Sequence, residues 1–238
     1  ALNNLEAAVA YMKSATDGDA PGPPSRITVS DLETAFDRRA LIYDKSGESH
    51  YNLISALHKS MRGSDPDATL YWLVRMFEAG EDPLYVARRM VRFASEDVGN
   101  ADPNALGIAR QAMEAFRFLG HPEGELALAQ AAIYLATASK SNSVYAAYKA
   151  VQQEIRSTGS LPPPLHIRNA PTKLMRDLGY GKDYRYAHNY TDAYVHQEYL
   201  PDKVRTKKYY RPTNRGYEKH IRQRLEKWRA LANKHRSK

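Results

Sequence analysis

Three times along the chain an aspartate stands directly before a proline, at Asp65-Pro66, Asp82-Pro83 and Asp102-Pro103. An aspartate accepts from the unpaired N–H groups that open a helix, and a proline, which has no N–H, sits in the first turn at no loss. Each pair is followed by apolar residues three and four apart: Leu70, Leu73, Val74 and Phe77; Val86, Met90 and Phe93; Leu106, Ala109, Met113 and Phe116. That spacing is one face of a helix. A helix from about Ser49 to Met61 precedes them, with Tyr51, Ile54, Leu57, His58 and Met61 on its stripe. His121-Pro122 opens a fourth pattern, ELALAQAAIYLATA, apolar nearly all round and so expected to be the most buried. A fifth runs from about Asn142 to Arg156 and carries Val144, Tyr148, Val151 and Ile155. Nothing before residue 160 alternates with period 2, so the expected fold class is all-α, a bundle of five or six helices joined by short turns.

The two ends read differently. Residues 2–14 predict a helix broken by TDGDAPGPPSR at 16–26, a Pro/Gly linker, and Ser30 is placed to cap a short helix reaching about Ala40. The opening ALNNLEAAVAYMKS starts inside an amphipathic pattern with neither capping residue nor initiator Met, and is read as part of a longer chain. Leu161-Pro-Pro-Pro ends the bundle. After it, Asn169 is expected to cap a helix of about two turns with Pro171 near its start and Gly179 as its stop. Residues 180–212 are rich in Tyr and Pro, and Tyr184 and Tyr186 alternating with Arg185 predict a short strand or β-hairpin. A last helix is expected from Asn214 to about Leu231, with Tyr217, Ile221, Leu225 and Trp228 on one face.

Chemistry is sparse in this pattern. With no cysteine there is no disulfide, thiolate metal site or cysteine nucleophile. Gly181-Lys182 is followed by Asp and opens no apolar helix, so it is not a phosphate-binding loop, and neither GxGxxG nor GxSxG occurs. His50, His58, Glu96 and Asp97 lack metal-ligand spacing; the acids are expected to pair with Arg88, Arg89 or Arg92, and His58 to lie in the core. No window reaches the roughly 18 apolar residues of a membrane helix, which excludes a helical span. The chain is read as having no catalytic, cofactor or metal site, and as cytoplasmic.

The charge is the one positive signal. Residues 165–238 hold 19 Lys and Arg against 7 Asp and Glu, whereas residues 1–164 hold 16 against 20. Lys203, Arg205, Lys207, Lys208, Arg211 and Arg215 are interleaved with Tyr199, Tyr209, Tyr210 and Tyr217. Cations beside rings suit a phosphate backbone and its bases. Tyrosines that fasten an irregular tail to a bundle, with Lys and Arg keeping it soluble, explain the same residues equally well. Arg222, Lys173 and Arg185 complete the set of candidate DNA contacts.

Five stretches go further: YDKSGESHYNLISALHKSMRGSDPDATLYWLVRM (43–76), GEDPLYVARRMVRFASEDVGNADP (80–103), SKSNSVYAAYKA (139–150), RNAPTKLMRDLGYGKDYRYAH (168–188) and YYRPTNRGYE (209–218). Together they resemble the C-terminal part of the RarA/MgsA family, replication-associated AAA+ ATPases whose eukaryotic relatives include the Werner-helicase-interacting ATPase. Arg168, Asn169, Pro171, Thr172, Lys173, Gly179, Tyr180, Gly181 and Tyr184 carry the motif in the fourth stretch. The resemblance covers about residues 27–230. It implies a clamp-loader-like helical domain at 45–164 through which the family forms homotetramers, the end of the AAA+ lid subdomain at 1–44, and a basic extension at 165–238. It also implies an upstream core that binds ATP and Mg, ATPase activity stimulated by DNA ends and single-strand gaps, work at stalled replication forks beside the nucleoid, and single-strand-binding protein as a partner. The 16–26 insertion and the tail KWRALANKHRSK depart from the family pattern.

Overall fold

The computed structural model describes residues 48–236. The expected helices and linker before residue 48, and the lid assignment of 1–44, lie outside them. The described helices are α1 (Glu48–Arg62), α2 (Pro66–Glu78), α3 (Pro83–Phe93), α4 (Ala105–Leu119), α5 (Glu125–Thr137), α6 (Ser143–Thr158), α7 (Lys173–Asp177) and α8 (Glu218–Arg236). A π-type turn at Ala94–Val98 and a 3-10 turn at Gly99–Ala101 join α3 to α4. The fold is all-α, and no strand occurs among the described residues.

Two of the three Asp-Pro starts act as expected. Asp65 Oδ1 accepts from Ala68 N and Asp82 Oδ1 from Leu84 N, each at 2.9 Å, with the prolines in the first turn. The third is diverted: Asp102 accepts from Asn104 N, and its other oxygen takes the hydroxyl of Tyr134 on α5 at 2.5 Å, so α4 begins three residues later. That hydrogen bond, with burial and the nearby charge, pushes the Tyr134 pKa up to about 12. The fourth helix opens where its apolar pattern does, at Glu125, with residues 120–124 forming the turn before it.

α5 is the centre, packed against α1, α2, α3 and α4. Leu57, Met61, Leu73, Met76, Val86, Met90, Phe93, Leu128 and Leu135 are fully buried, each contributing about 1.5–3 kcal/mol by leaving water. The stripes were legible but too wide at their edges: Tyr51, Val74 and Leu106 are exposed. α5 is buried only along Leu128, Ala131, Ala132, Leu135 and Ala136, while Leu126 and Ile133 face solvent. Its C-terminal carbonyls are capped from outside, as Lys140 Nζ donates to Ala136 O and Ala138 O, both at 2.7 Å.

The polar groups of the body are structural. His58 lies in the core edge-on to Phe93, its Nε2 without a hydrogen-bond partner, and burial together with Arg89 lowers its pKa to about 4. Glu96 pairs with Arg92, and Asp97 takes two bonds from Arg62 at 2.6 and 3.1 Å. His50 Nδ1 meets Glu81 Oε2 at 2.5 Å.

Two expectations for the tail are corrected. Asn169 caps nothing: Thr172 Oγ1 accepts from Met175 N at 3.2 Å, and α7 is only five residues long. Residues 184–186 form no strand, because the groups a neighbouring strand would pair are taken by one side chain. Gln197 accepts from Arg185 N and donates to Arg185 O at 2.9 Å, and 3-10 turns follow at Ala187–Asn189 and Thr191–Ala193. The motif around them is a knot. Arg168 donates to Pro163 O at 2.7 Å and lies 5.0 Å over the Tyr180 ring, and Gly181 N donates to Leu165 O.

Candidate functional site

The tail is attached through one buried carboxylate. Glu218, the first residue of α8, is 0% exposed. Its Oε2 accepts from Ser141 Oγ at 2.7 Å and from the N–H and hydroxyl of Thr213, both at 2.8 Å. Its Oε1 accepts from Ser143 Oγ and from the Tyr210 hydroxyl at 3.0 Å. Burial pushes the pKa of this carboxyl up, but the bonds from Ser143, Ser141 and Thr213 outweigh it and hold the group at about 2. Ser143 opens α6, so the charge lies at the N-terminal ends of two helices, where their dipoles favour an anion.

Backbone contact completes the clasp. Tyr217 N donates to Ala101 O at 2.8 Å, which brings Gly216, at φ +50°, so close that a Cβ there would stand 2.1 Å from that carbonyl oxygen. Gly99, at φ +53°, meets Ser141 O in the same way, and Ser141 N donates to Asp97 O. The sequence stretches 94–101, 139–143 and 209–218 are therefore three sides of one joint. Sequence reasoning missed Glu218, since its partners Ser141 and Ser143 lie 77 and 75 residues away. Its only signal is an acid in a basic segment, directly after a Gly-Tyr pair.

Held by this joint, the basic segment folds around a groove. Arg205, Lys207, Lys208 and Arg229 line a cavity of about 760 Å³ with Tyr194, His196 and Glu198. A second cavity of about 610 Å³ shares His196 and Glu198 with it and adds Lys182 and Arg185. The ring of Trp228 on α8 stacks on Tyr194 at 5.8 Å, and Val204 and Ala232 are buried beneath. Of the predicted contacts, Arg205, Lys207 and Lys208 come together and Arg185 lies in the adjoining cavity. Arg222 is elsewhere, bonded to Glu226 and Asn214. Lys173, Lys203, Arg211 and Arg215 are exposed outside both cavities. Arg229 is a groove cation that the candidate set omitted. Within the groove, Lys207 pairs with Glu154 of α6 at 3.1 Å, and Arg205 weakly with Asp202 at 3.8 Å.

Apolar side chains also remain uncovered. Phe118 is 90% exposed and Leu126 76%, on either side of the turn that joins α4 to α5. On α6, Tyr148 is 64% and Ile155 58% exposed, and Val144 is exposed beside them, so three of the four apolar residues of its stripe lie on the surface while Val151 is half-buried.

A family model described as MgsA AAA+ ATPase C terminal matches residues 63–229. The chain belongs to this family. The description AAA C-terminal domain matches residues 1–62, so α1, which packs into the core, falls within that first match. Members of the wider family include the replication-associated recombination protein A of Coxiella burnetii, 57% identical over 82% of the chain and 44% of that protein. The protein of the same name from Escherichia coli is 49% identical over 94% of the chain and 49% of its own length. The ATPase WRNIP1 of Dictyostelium discoideum is 49% identical over 77% of the chain and 21% of its length. The chain spans about half the length of the bacterial relatives it matches. Among the described residues no helix is long and apolar enough to cross a membrane.

Proposed function

We propose that this chain is the assembly module of a replication-associated recombination ATPase, bringing its copies together as a homotetramer that works at replication forks. In this reading residues 45–164 form the assembly domain, residues 1–44 end the lid of the ATPase, and ATP and Mg bind in the upstream core. The observation that carries it is apolar surface left over beyond a complete core: Phe118, Leu126, Ile133, Tyr148 and Ile155 all face solvent on a body whose interior is already filled. Sedimentation tests it. The chain is expected to sediment as an oligomer at tens of micromolar, and a strict monomer there overturns the reading.

A second role, DNA binding, is favoured by the four cations that converge on one groove beside aromatic rings. Single-strand gaps or duplex ends are the expected ligands, with single-strand-binding protein as a neighbour at the fork. Replacing Arg205, Lys207 and Lys208 together by Glu is expected to weaken DNA binding at least about a hundredfold. The wild-type affinity should fall with salt at a slope of about −3 for four phosphates. The three side chains are exposed and only Lys207 gives up a close ion pair, the one with Glu154, so the thermal midpoint should fall by no more than a few degrees; unchanged affinity removes this role.

A further inference from the structure

Resting on the assembly reading, we infer where the copies meet: α6 of one copy lies along the outer face of the α4–α5 hairpin of the next, head to tail. Three observations lead there. Val144, Tyr148, Val151 and Ile155 are spaced four, three and four, the seam of a helix that packs lengthwise on another. Only Ser143 of α6 is buried, and the helix meets the body mainly through the turns at 94–101. α5 and α6 follow one another in sequence, as helices that usually pack as neighbours do. Yet α6 does not run along α5, and the outer stripe of α5, Leu126 and Ile133, stays open.

The hairpin is built to present that stripe. Gly124 N donates to Gly120 O at 2.7 Å, and a Cβ on Gly124 would stand 2.9 Å from Phe116 Cα, so the turn is closed tightly. Phe118 and Leu119 at the end of α4 and Leu126 at the start of α5 therefore flank one short turn. Its rim carries both signs. Glu114 is paired with Arg117, Glu125 meets His121, and Glu123 is exposed, with Arg110 two turns away.

Charge selects between partners for the seam. α6 carries exposed Lys149 and Arg156, while its one acid, Glu154, is engaged by Lys207. Two α6 helices laid against each other bring like charges together, whereas the hairpin rim is close to neutral and offers the exposed Glu123. The contact joins two different surfaces, so repetition generates a closed ring or an open filament rather than stopping at a pair.

Two variants of the full chain test this. One carries Tyr148→Glu and Ile155→Glu, the other Phe118→Glu and Leu126→Glu. All four residues are exposed, and unchanged circular dichroism and thermal midpoints establish that both variants fold. Each alone is expected to be a monomer at concentrations where the wild type is an oligomer. Mixed, they should form a dimer and nothing larger, because the pair retains one intact seam and one intact hairpin face. If either variant keeps the wild-type mass, or if the mixture stays monomeric, the head-to-tail contact is wrong while assembly itself stands. A monomeric wild type removes both.

Discussion

Replacing Glu218 by Ala is expected to undock α8 and the basic segment from the body at a cost of about 3–5 kcal/mol, because four side-chain donors and a backbone N–H lose their shared anion at once. The depressed pKa points to the same size. A carboxyl brought from 4.5 to about 2 contributes about 3 kcal/mol at ~1.4 kcal/mol per unit. Its folded pKa lies below the unfolded one, so the contribution is complete above about pH 5 and fades as pH falls toward 2. Trp228, stacked on Tyr194, reports the undocking by fluorescence once Trp72 is replaced by Phe. Wild-type hydrogen-exchange protection of α8 in the alanine variant would contradict this account.

Gly216→Ala should weaken the same joint by a different route. The methyl group cannot share space with Ala101 O, so the chain withdraws and the bond from Tyr217 N is lost, on top of a left-handed φ unfavourable to alanine. Strain of about 1–3 kcal/mol and a hydrogen bond worth about 1 kcal/mol give an expected loss of about 2–4 kcal/mol. Gly179→Ala is the control. Its φ is also positive, but nothing lies within 4 Å of the added carbon, so only the backbone term of about 1 kcal/mol applies. A denaturant titration that ranks the two variants equally would refute the role given to Ala101. Because Gly216 and Glu218 serve one joint, the double variant should lose less than the sum of the two.

What could be read from the sequence follows the range of the forces involved. Asp65 and Asp82 act on N–H groups three and two residues ahead, and their caps were legible. Asp102 has the same local signal, but a tyrosine 32 residues away competes for it. The α6 stripe marks a helix correctly and leaves its burial open, since periodicity reports that one face is apolar and not what covers it. The strand expected at 184–186 failed because a single glutamine occupies both backbone groups of Arg185. The basic segment was visible in composition, yet which cations meet is set by the turns between 194 and 208 and by α8, which adds Arg229. Glu218 had only a faint local signal, as its body-side partners Ser141 and Ser143 lie 77 and 75 residues away.

α6 is a lever, and the clasp is its fulcrum. Glu154 stands eleven residues beyond Ser143, about 17 Å along the helix at ~1.5 Å per residue, and a tilt of about ten degrees at the fulcrum shifts it by about 3 Å. That distance is as long as its 3.1 Å ion pair with Lys207. The pairing of Lys207 with Glu154 therefore depends on how the clasp sets the angle of α6.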